Sequence, residues 1–192
     1  GLQMNQIQAV TVYCSSSSML APVYFDAARD LGRAIAAQKW ALVYGGGSIG
    51  LMGVLAEAAL AVGVHVTGVA PRRLIEREVV HSGLSKLHIV ESMHERKATM
   101  AELSDGFIAL PGGYGTLDEL FESLTLIQTH RIELFPTILV DSKHWEPLLD
   151  WIDEDLDDTS LISPPDMELL VTADSVAEIY SYVQKATERQ KQ

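Results

Sequence analysis

Short apolar runs alternate with longer amphipathic ones along nearly the whole chain, and this alternation restricts the fold more than any other feature. Strand candidates are Ala9–Cys14, Ala41–Tyr44, His65–Val69, His88–Val90, Gly106–Leu110, Thr137–Val140 and Leu169–Val171. Most are bounded by Gly, Pro, Ser or Asp and lack a polar alternation, which suits strands buried on both faces. Helical spacing predicts helices over Val23–Gln38, Leu51–Val62, Glu95–Leu103, Thr116–Thr129, Trp145–Leu156 and Ser175–Gln190. In the first of these, Phe25, Ala28, Leu31 and Ile35 share one face while Arg29, Asp30 and Arg33 lie on others. Strand–helix–strand order implies right-handed crossovers and a mostly parallel sheet with helices on both faces. The expectation is therefore an α/β, Rossmann-like, doubly wound fold. At 192 residues the chain falls short of an eightfold barrel, which takes about 250. One domain over residues 4–192 is expected, with Gly1-Leu2-Gln3 ahead of Met4 read as a cloning remnant.

Charge and cysteine usage narrow the partners. Fourteen Lys and Arg against 26 Asp and Glu give a net charge of −12. That balance opposes broad nucleic-acid binding, which depends on neutralising phosphates. It leaves room for one small anion, because a few backbone N–H groups and one Arg make a local positive site. The single cysteine, Cys14, excludes a disulfide within the chain, and a cytoplasmic protein is expected. No apolar stretch approaches the roughly 18 residues of a membrane span, and the N-terminal residues lack a signal-peptide layout. The acidic run Asp153–Asp158 reads as a solvated helix end.

In open α/β sheets ligands bind beyond the carboxyl ends of the strands, where strand order reverses. The segments following the strand candidates hold nearly all the unusual chemistry: Ser15–Ser18, Gly45–Gly50, Glu91–Lys97, Pro111–Thr116 and Asp141. Gly45-Gly-Gly-Ser-Ile-Gly50 admits three readings. It is a GxGxxG dinucleotide fingerprint without the acid expected about 20 residues on. It is also a nest of N–H groups for one phosphate, through Gly46, Gly47 and Ser48. Or it is only a tight turn. Pro111-Gly-Gly-Tyr-Gly-Thr116 runs from a buried strand into a helix, and its glycines let a ligand approach the backbone. Thr116 with Glu119 three residues later spells a capping box. The other reading of Glu119 is a functional carboxylate on the first turn of a helix that faces the crevice. Ser15–Ser18 offers hydroxyls at the same edge, or is an ordinary polar turn. Arg96 and Lys97 oppose the dipole of the helix they open, which points to an anionic partner or to plain surface charge. His94-Glu95 does not begin HExxH, and the six histidines show no zinc-ligand spacing. No metal site is expected.

Two of these segments carry a family resemblance. Pro111-Gly-Gly-Tyr-Gly-Thr-Leu-Asp-Glu119 resembles the PGGxGTxxE motif of the LOG (Lonely Guy) family, and Met93-His-Glu-Arg-Lys97 resembles its second signature. Gly45–Gly53, ending in Gly-Leu-Met-Gly, is similar to the family's second glycine loop, and the likeness runs from about Val10 to Ile179. The family is often labelled lysine decarboxylase-like. Its associated activity is hydrolysis of nucleoside 5′-monophosphates to free base and ribose 5-phosphate, on cytokinin (N6-substituted AMP) or AMP substrates. The resemblance implies Arg96 and Glu119 as the catalytic pair. It implies substrate contacts at Glu78, Arg96, Lys97, Gly113, Tyr114, Gly115, Thr116, Leu117, Asp118, Glu119 and Thr125, with Gly112 among the phosphate-loop residues. It also implies a homodimer or larger homo-oligomer. One position departs from the pattern: Cys14 is followed by Ser15, where the family usually has Gly.

Cleavage of a ribosyl C–N bond passes through an oxocarbenium-like state, so a carboxylate is needed to stabilise charge or activate water. Glu119 is the expected carboxylate, Arg96 its orienting partner and Lys97 an anion attractor, with no cofactor required. Two rivals stand beside this reading. A pyridoxal-phosphate decarboxylase needs a Schiff-base lysine, and of Lys39, Lys86, Lys97, Lys143, Lys185 and Lys191 only Lys97 lies at the expected site. A nucleotide or molybdopterin-type carrier shares the fold expectation but has no use for the Arg96–Glu119 pair.

Overall fold

The computed structural model describes residues 8–77, 79–129 and 137–189. Glu78 lies outside the described residues, as do residues 1–7 and 190–192 at the ends of the expected domain.

Among the described residues seven strands form one sheet: β1 (Ala9–Tyr13), β2 (Ala41–Tyr44), β3 (Val66–Pro71), β4 (Lys86–Val90), β5 (Gly106–Ala109), β6 (Thr137–Val140) and β7 (Leu170–Ala173). Their order is β4-β3-β2-β1-β5-β6-β7, and every pairing is parallel. The chain steps outward from β1 to β4, returns to the other side of β1 as β5, then steps outward again. Strand order therefore reverses between β1 and β5, and the crevice of this sheet opens there.

Helices α1 (Pro22–Ala37), α2 (Gly50–Ala61) and α8 (Val176–Arg189) share one side with Val10, Val12, Leu42, Ile108 and Ile138. On the other side α4 (Met93–Glu102), α5 (Tyr114–Gln128) and α6 (Ser142–Trp151) cover Tyr13, Val43, Val69, Phe107 and Leu139. Reversing the direction of travel across the sheet while keeping right-handed crossovers puts the later helices on the opposite face. The interior strands are buried along nearly their whole length, as two-sided cover requires.

Several boundaries differ from the sequence expectation. β3 continues to Pro71 and turns into the short α3 (Arg72–Glu76). β4 starts earlier, at Lys86, because it is an edge strand whose Leu87 and Ile89 stay exposed and blur the buried-run signal. Helix α6 begins at Ser142 rather than Trp145: Asp141, at φ 77°, caps it by accepting from the His144 N–H. It carries Pro147 within and widens into a π-type turn over Ile152–Asp157, which takes up most of the acidic run. A further short helix, α7 (Pro164–Met167), leads into β7.

Candidate functional site

β1 delivers the buried Cys14 to the crevice, and the Ser15 N–H donates to the Pro111 carbonyl at 3.3 Å, joining the loops that follow β1 and β5. The glycine loop after β2 is braced from within. The Gly46 carbonyl accepts from the His81 N–H at 2.8 Å, and the Gly47 carbonyl accepts from the Tyr44 hydroxyl at 2.8 Å. Gly47 also bridges Val80, while the N–H and hydroxyl of Ser48 both donate to the Val79 carbonyl, at 2.9 and 3.1 Å. Residues 79–81 thus brace the loop through the Gly46 carbonyl and through the N–H and hydroxyl of Ser48, which are turned to Val79 and away from a phosphate. Gly50 sits at φ +62°, and a Cβ there would lie 2.3 Å from the carbonyl oxygens of Ser16 and Ser17. The loop forms a tight turn set against Ser15–Ser18.

The loop after β5 is built differently. Helix α5 has Gly113 as N-cap, at φ −94°, ψ −150°, with no side-chain cap. The first helical bond across the cap runs from the Leu117 N–H to the Gly113 carbonyl at 3.1 Å. The N–H groups of Tyr114, Gly115 and Thr116 precede it and have no partner inside the helix. A Cβ on Gly113 or Gly115 would meet nothing within 4 Å, so neither packing nor φ demands glycine at either position. What their absent side chains leave is bare, accessible N–H surface at a positive helix end, the ordinary geometry for an oxyanion. Gly112 is different: its Cβ would fall 2.0 Å from the Thr116 hydroxyl oxygen, so Thr116 packs down over it and is buried.

Thr116 is therefore not a cap, and the capping box expected with Glu119 does not form. The extended Gly113 lets the helix start two residues earlier, which moves Glu119 into the second turn. The same chemical device operates on α4 instead. There the Ser92 hydroxyl accepts from the Glu95 N–H at 3.1 Å, and the Glu95 carboxylate accepts from the Glu91 N–H at 2.8 Å. Ser92-x-x-Glu95 was the sequence signal for it, and it fixes where Arg96 emerges.

Arg96 is 6% exposed. Its Nε donates to the Val69 carbonyl at 2.8 Å, one terminal nitrogen donates to the Gly45 carbonyl, and the other approaches the Met93 sulfur. The guanidinium thus ties together the ends of β2 and β3. A Cβ at Gly45 would lie 2.2 Å from that guanidinium nitrogen, so glycine is needed for the approach. Burial pulls Arg96 below its ordinary value, and the nearby Glu119 carboxylate opposes that pull.

Glu119 is 7% exposed and accepts no hydrogen bond from any described residue. Burial raises its pKa to about 7; Arg96 and Lys97 work against the shift, Asp118 and Glu122 with it. A buried carboxyl without a partner is unfavourable for folding, and such perturbed groups gather at functional sites. Beneath it, burial and Glu119 together push the Tyr13 phenol and the Cys14 thiol up.

The remaining expected residues divide into two groups. Tyr114 is 93% exposed at the rim, Asp118 is exposed, and Leu117 is half-buried. Lys97 stands between Asp118, at 3.0 Å, and Glu122, at 3.5 Å. Thr125 is not brought to the crevice: its hydroxyl donates to the Phe121 carbonyl at 2.8 Å, and it lines a separate cavity of about 160 Å³ with Phe121, Ile152 and Leu156. Sequence reasoning overlooked Tyr44 and the Val69 carbonyl, which hold the glycine loop and Arg96; a backbone acceptor leaves no mark in a sequence. No helix among the described residues is long and apolar enough to cross a membrane.

The family described as "possible lysine decarboxylase" matches residues 52–183. The chain is 40% identical over 178 residues to the cytokinin riboside 5′-monophosphate phosphoribohydrolase LOG3 of Arabidopsis thaliana, covering 93% of this chain and 82% of that protein. It is 46% identical over 147 residues to a protein of the same name from Rhodococcoides fascians, covering 76% and 74%. Among solved structures it resembles the molybdenum cofactor carrier protein of Chlamydomonas reinhardtii, with a TM-score of 0.67 at 21% identity over 94% of this chain and 98% of that one. It is also similar to the molybdenum cofactor binding protein of Rippkaea orientalis, with a TM-score of 0.68 at 19% identity over 93% and 96%. These two likenesses establish the fold.

Proposed function

The chain belongs to the LOG family of phosphoribohydrolases, and on that premise we propose that it hydrolyses the N-glycosidic bond of purine nucleoside 5′-monophosphates. Cytokinin-type N6-substituted AMP, or AMP itself, is the substrate class, and the products are the free base and ribose 5-phosphate. The observation that carries this reading is Glu119: a buried carboxyl with no hydrogen-bond partner and a pKa of about 7, beside a buried arginine at the switch point of the sheet.

The chemistry follows from the arrangement. The free N–H groups of Tyr114, Gly115 and Thr116 take the 5′-phosphate, with the space over Gly113 and Gly115 admitting its oxygens. Anchoring the phosphate there fixes the ribose near Glu119, one turn further along α5. As the C1′–N bond breaks, positive charge develops on the sugar and the carboxylate stabilises it. Water adds to C1′ and its proton passes to Glu119; the base leaves with the C1′–N electron pair and takes a proton from solvent, and Glu119 then releases its proton to solvent. A carboxyl poised near pH 7 suits proton transfer at neutral pH. Arg96 keeps the ends of β2 and β3 in place and balances the charge of Glu119.

A decarboxylase role fits the same residues poorly. Lys97 is the lysine at this edge, and its ammonium is held in the charged form by hydrogen bonding to Asp118. A Schiff-base lysine needs the opposite, a free amine. The carrier reading leaves the unpartnered Glu119 without a task. A cytoplasmic homo-oligomer is part of the proposal, and sedimentation of the purified chain tests the oligomer.

The deciding experiment incubates the protein with AMP, isopentenyladenosine monophosphate, other monophosphates and the matching unphosphorylated nucleosides, followed by chromatography for free base. Base release from monophosphates alone supports the reading. Release from no monophosphate, or equally from nucleosides, overturns it.

A further inference from the structure

Arg96 and Glu119 come from different helices, and no ion pair among the described residues joins them. Helix α4 packs on β3 and β4, and α5 on β1 and β5, so each rests on its own part of the sheet. Both helices add side chains to one buried cluster, Met100 from α4 and Leu120 from α5, and among the described residues Lys97 joins them by ion pairs. Its Nζ lies 3.0 Å from the Asp118 carboxylate and 3.5 Å from that of Glu122, with the lysine side chain only 10% exposed. Asp118 and Glu122 are one turn apart on α5, and Lys97 reaches both.

Lys97 directly follows Arg96, and Asp118 directly precedes Glu119. Consecutive helical residues point about 100° apart. Turning Lys97 toward α5 therefore turns Arg96 down to the strand ends, and turning Asp118 and Glu122 toward α4 turns Glu119 into the crevice. We propose that Lys97 is a positioning residue: it clamps α4 to α5 through Asp118 and Glu122, and so holds Arg96 and Glu119 at one crevice, rather than binding the substrate phosphate itself. An ammonium has three donors and no fork, and this one is already engaged by two carboxylates. The role rests on the hydrolase reading, since it is the reaction that needs the two side chains held together.

The test uses AMP as probe substrate with K97M, K97R, the double variant D118N/E122Q and the triple variant K97M/D118N/E122Q. K97M is expected to lower kcat tenfold or more with KM for AMP changed less than twofold. D118N/E122Q is expected to do the same, although it frees an ammonium that would otherwise attract phosphate. K97R, whose fork spans both carboxylates, recovers most of the rate. The pH profiles separate positioning from simple electrostatics. Tyr13 and Cys14 on β1, Arg96 and Lys97 on α4, and Asp118 and Glu122 on α5 surround Glu119. Removing the lysine charge moves the Glu119 limb to higher pH, and removing the two anions moves it lower. A clamp predicts the same fall in kcat despite these opposite shifts. A tenfold rise in KM for K97M at unchanged kcat, with D118N/E122Q silent, would make Lys97 a phosphate ligand and overturn the proposal. Unfolding in urea supplies a readout that needs no substrate. The triple variant should be no less stable than K97M, whereas fully additive losses would overturn the clamp. Non-additive losses in a protein whose wild type releases no base would leave the clamp standing and sink the hydrolase reading alone.

Discussion

Replacing Glu119 by Gln is expected to abolish turnover and, at alkaline pH, to make the protein more stable. Glu119 is 7% exposed, and its pKa rises from 4.5 to about 7 on folding. Below about pH 4.5 the folded and unfolded chains both carry the proton, and the residue adds no pH dependence. Between 4.5 and about 7 the folded state holds a proton that the unfolded state has released, so stability falls as pH rises through that window. Above it the full penalty applies. A shift of about 2.5 units at 1.36 kcal/mol each is about 3 kcal/mol. Glutamine is nearly isosteric and carries no charge, so it avoids the penalty. At pH 8 the variant should melt roughly 6–12 °C above wild type, since a chain of this size gains about 2–4 °C per kcal/mol. At pH 4.5 the difference should all but vanish. Thermal unfolding followed by circular dichroism at both pH values reads this directly. Equal melting temperatures at pH 8, or a less stable variant, would refute the account of Glu119 as a carboxyl held at a cost to folding.

The same carboxyl sets the rate. Because its ionised form is the reactive one, kcat for AMP hydrolysis should climb with pH and level off above about 7, and a profile flat from pH 5 to 8 would contradict this. Gly113→Ala and Gly115→Ala should raise KM several-fold with unchanged melting temperature, because the added methyl enters open space where the phosphate belongs; Gly112→Ala, colliding at 2.0 Å with Thr116, should instead unfold at lower temperature. Arg96→Ala strips partners from the Val69 and Gly45 carbonyls, so it should cost about 2–5 kcal/mol in denaturant unfolding as well as most of the turnover. A variant as stable as wild type would show that the arginine does not brace the strand ends.

The architecture was largely legible because apolar β-rich runs and amphipathic helices follow two distinct periods, and the crevice follows from strand order alone. The failures have particular causes. β4 reads short in the sequence because Leu87 and Ile89, on an edge strand, meet water. Thr116 reads as a cap in the sequence, but the extended Gly113 takes that place, and a capping-box spelling does not reveal which residue starts the turn. The Gly45–Gly50 loop spells an anion site, and nothing in the sequence tells that the Ser48 N–H and hydroxyl are taken up by Val79, 31 positions away. The resemblance implies a substrate contact at Thr125, and along α5 its hydroxyl donates to Phe121 beside a separate cavity. Arg96 and Glu119 were both picked out, although nothing in the sequence told that one would be tied to carbonyls and the other left without a partner.

Gly45 has a consequence that reaches beyond its own turn. The guanidinium occupies the volume where any other amino acid would keep its first side-chain carbon, so the hydrogen atom at that position acts as a spacer for the arginine. Gly45→Ala would displace a cation that belongs to another helix, 51 residues downstream, with no charge altered and no reacting group touched. Searches for important positions that score side-chain chemistry overlook such a residue, because its contribution is vacant space.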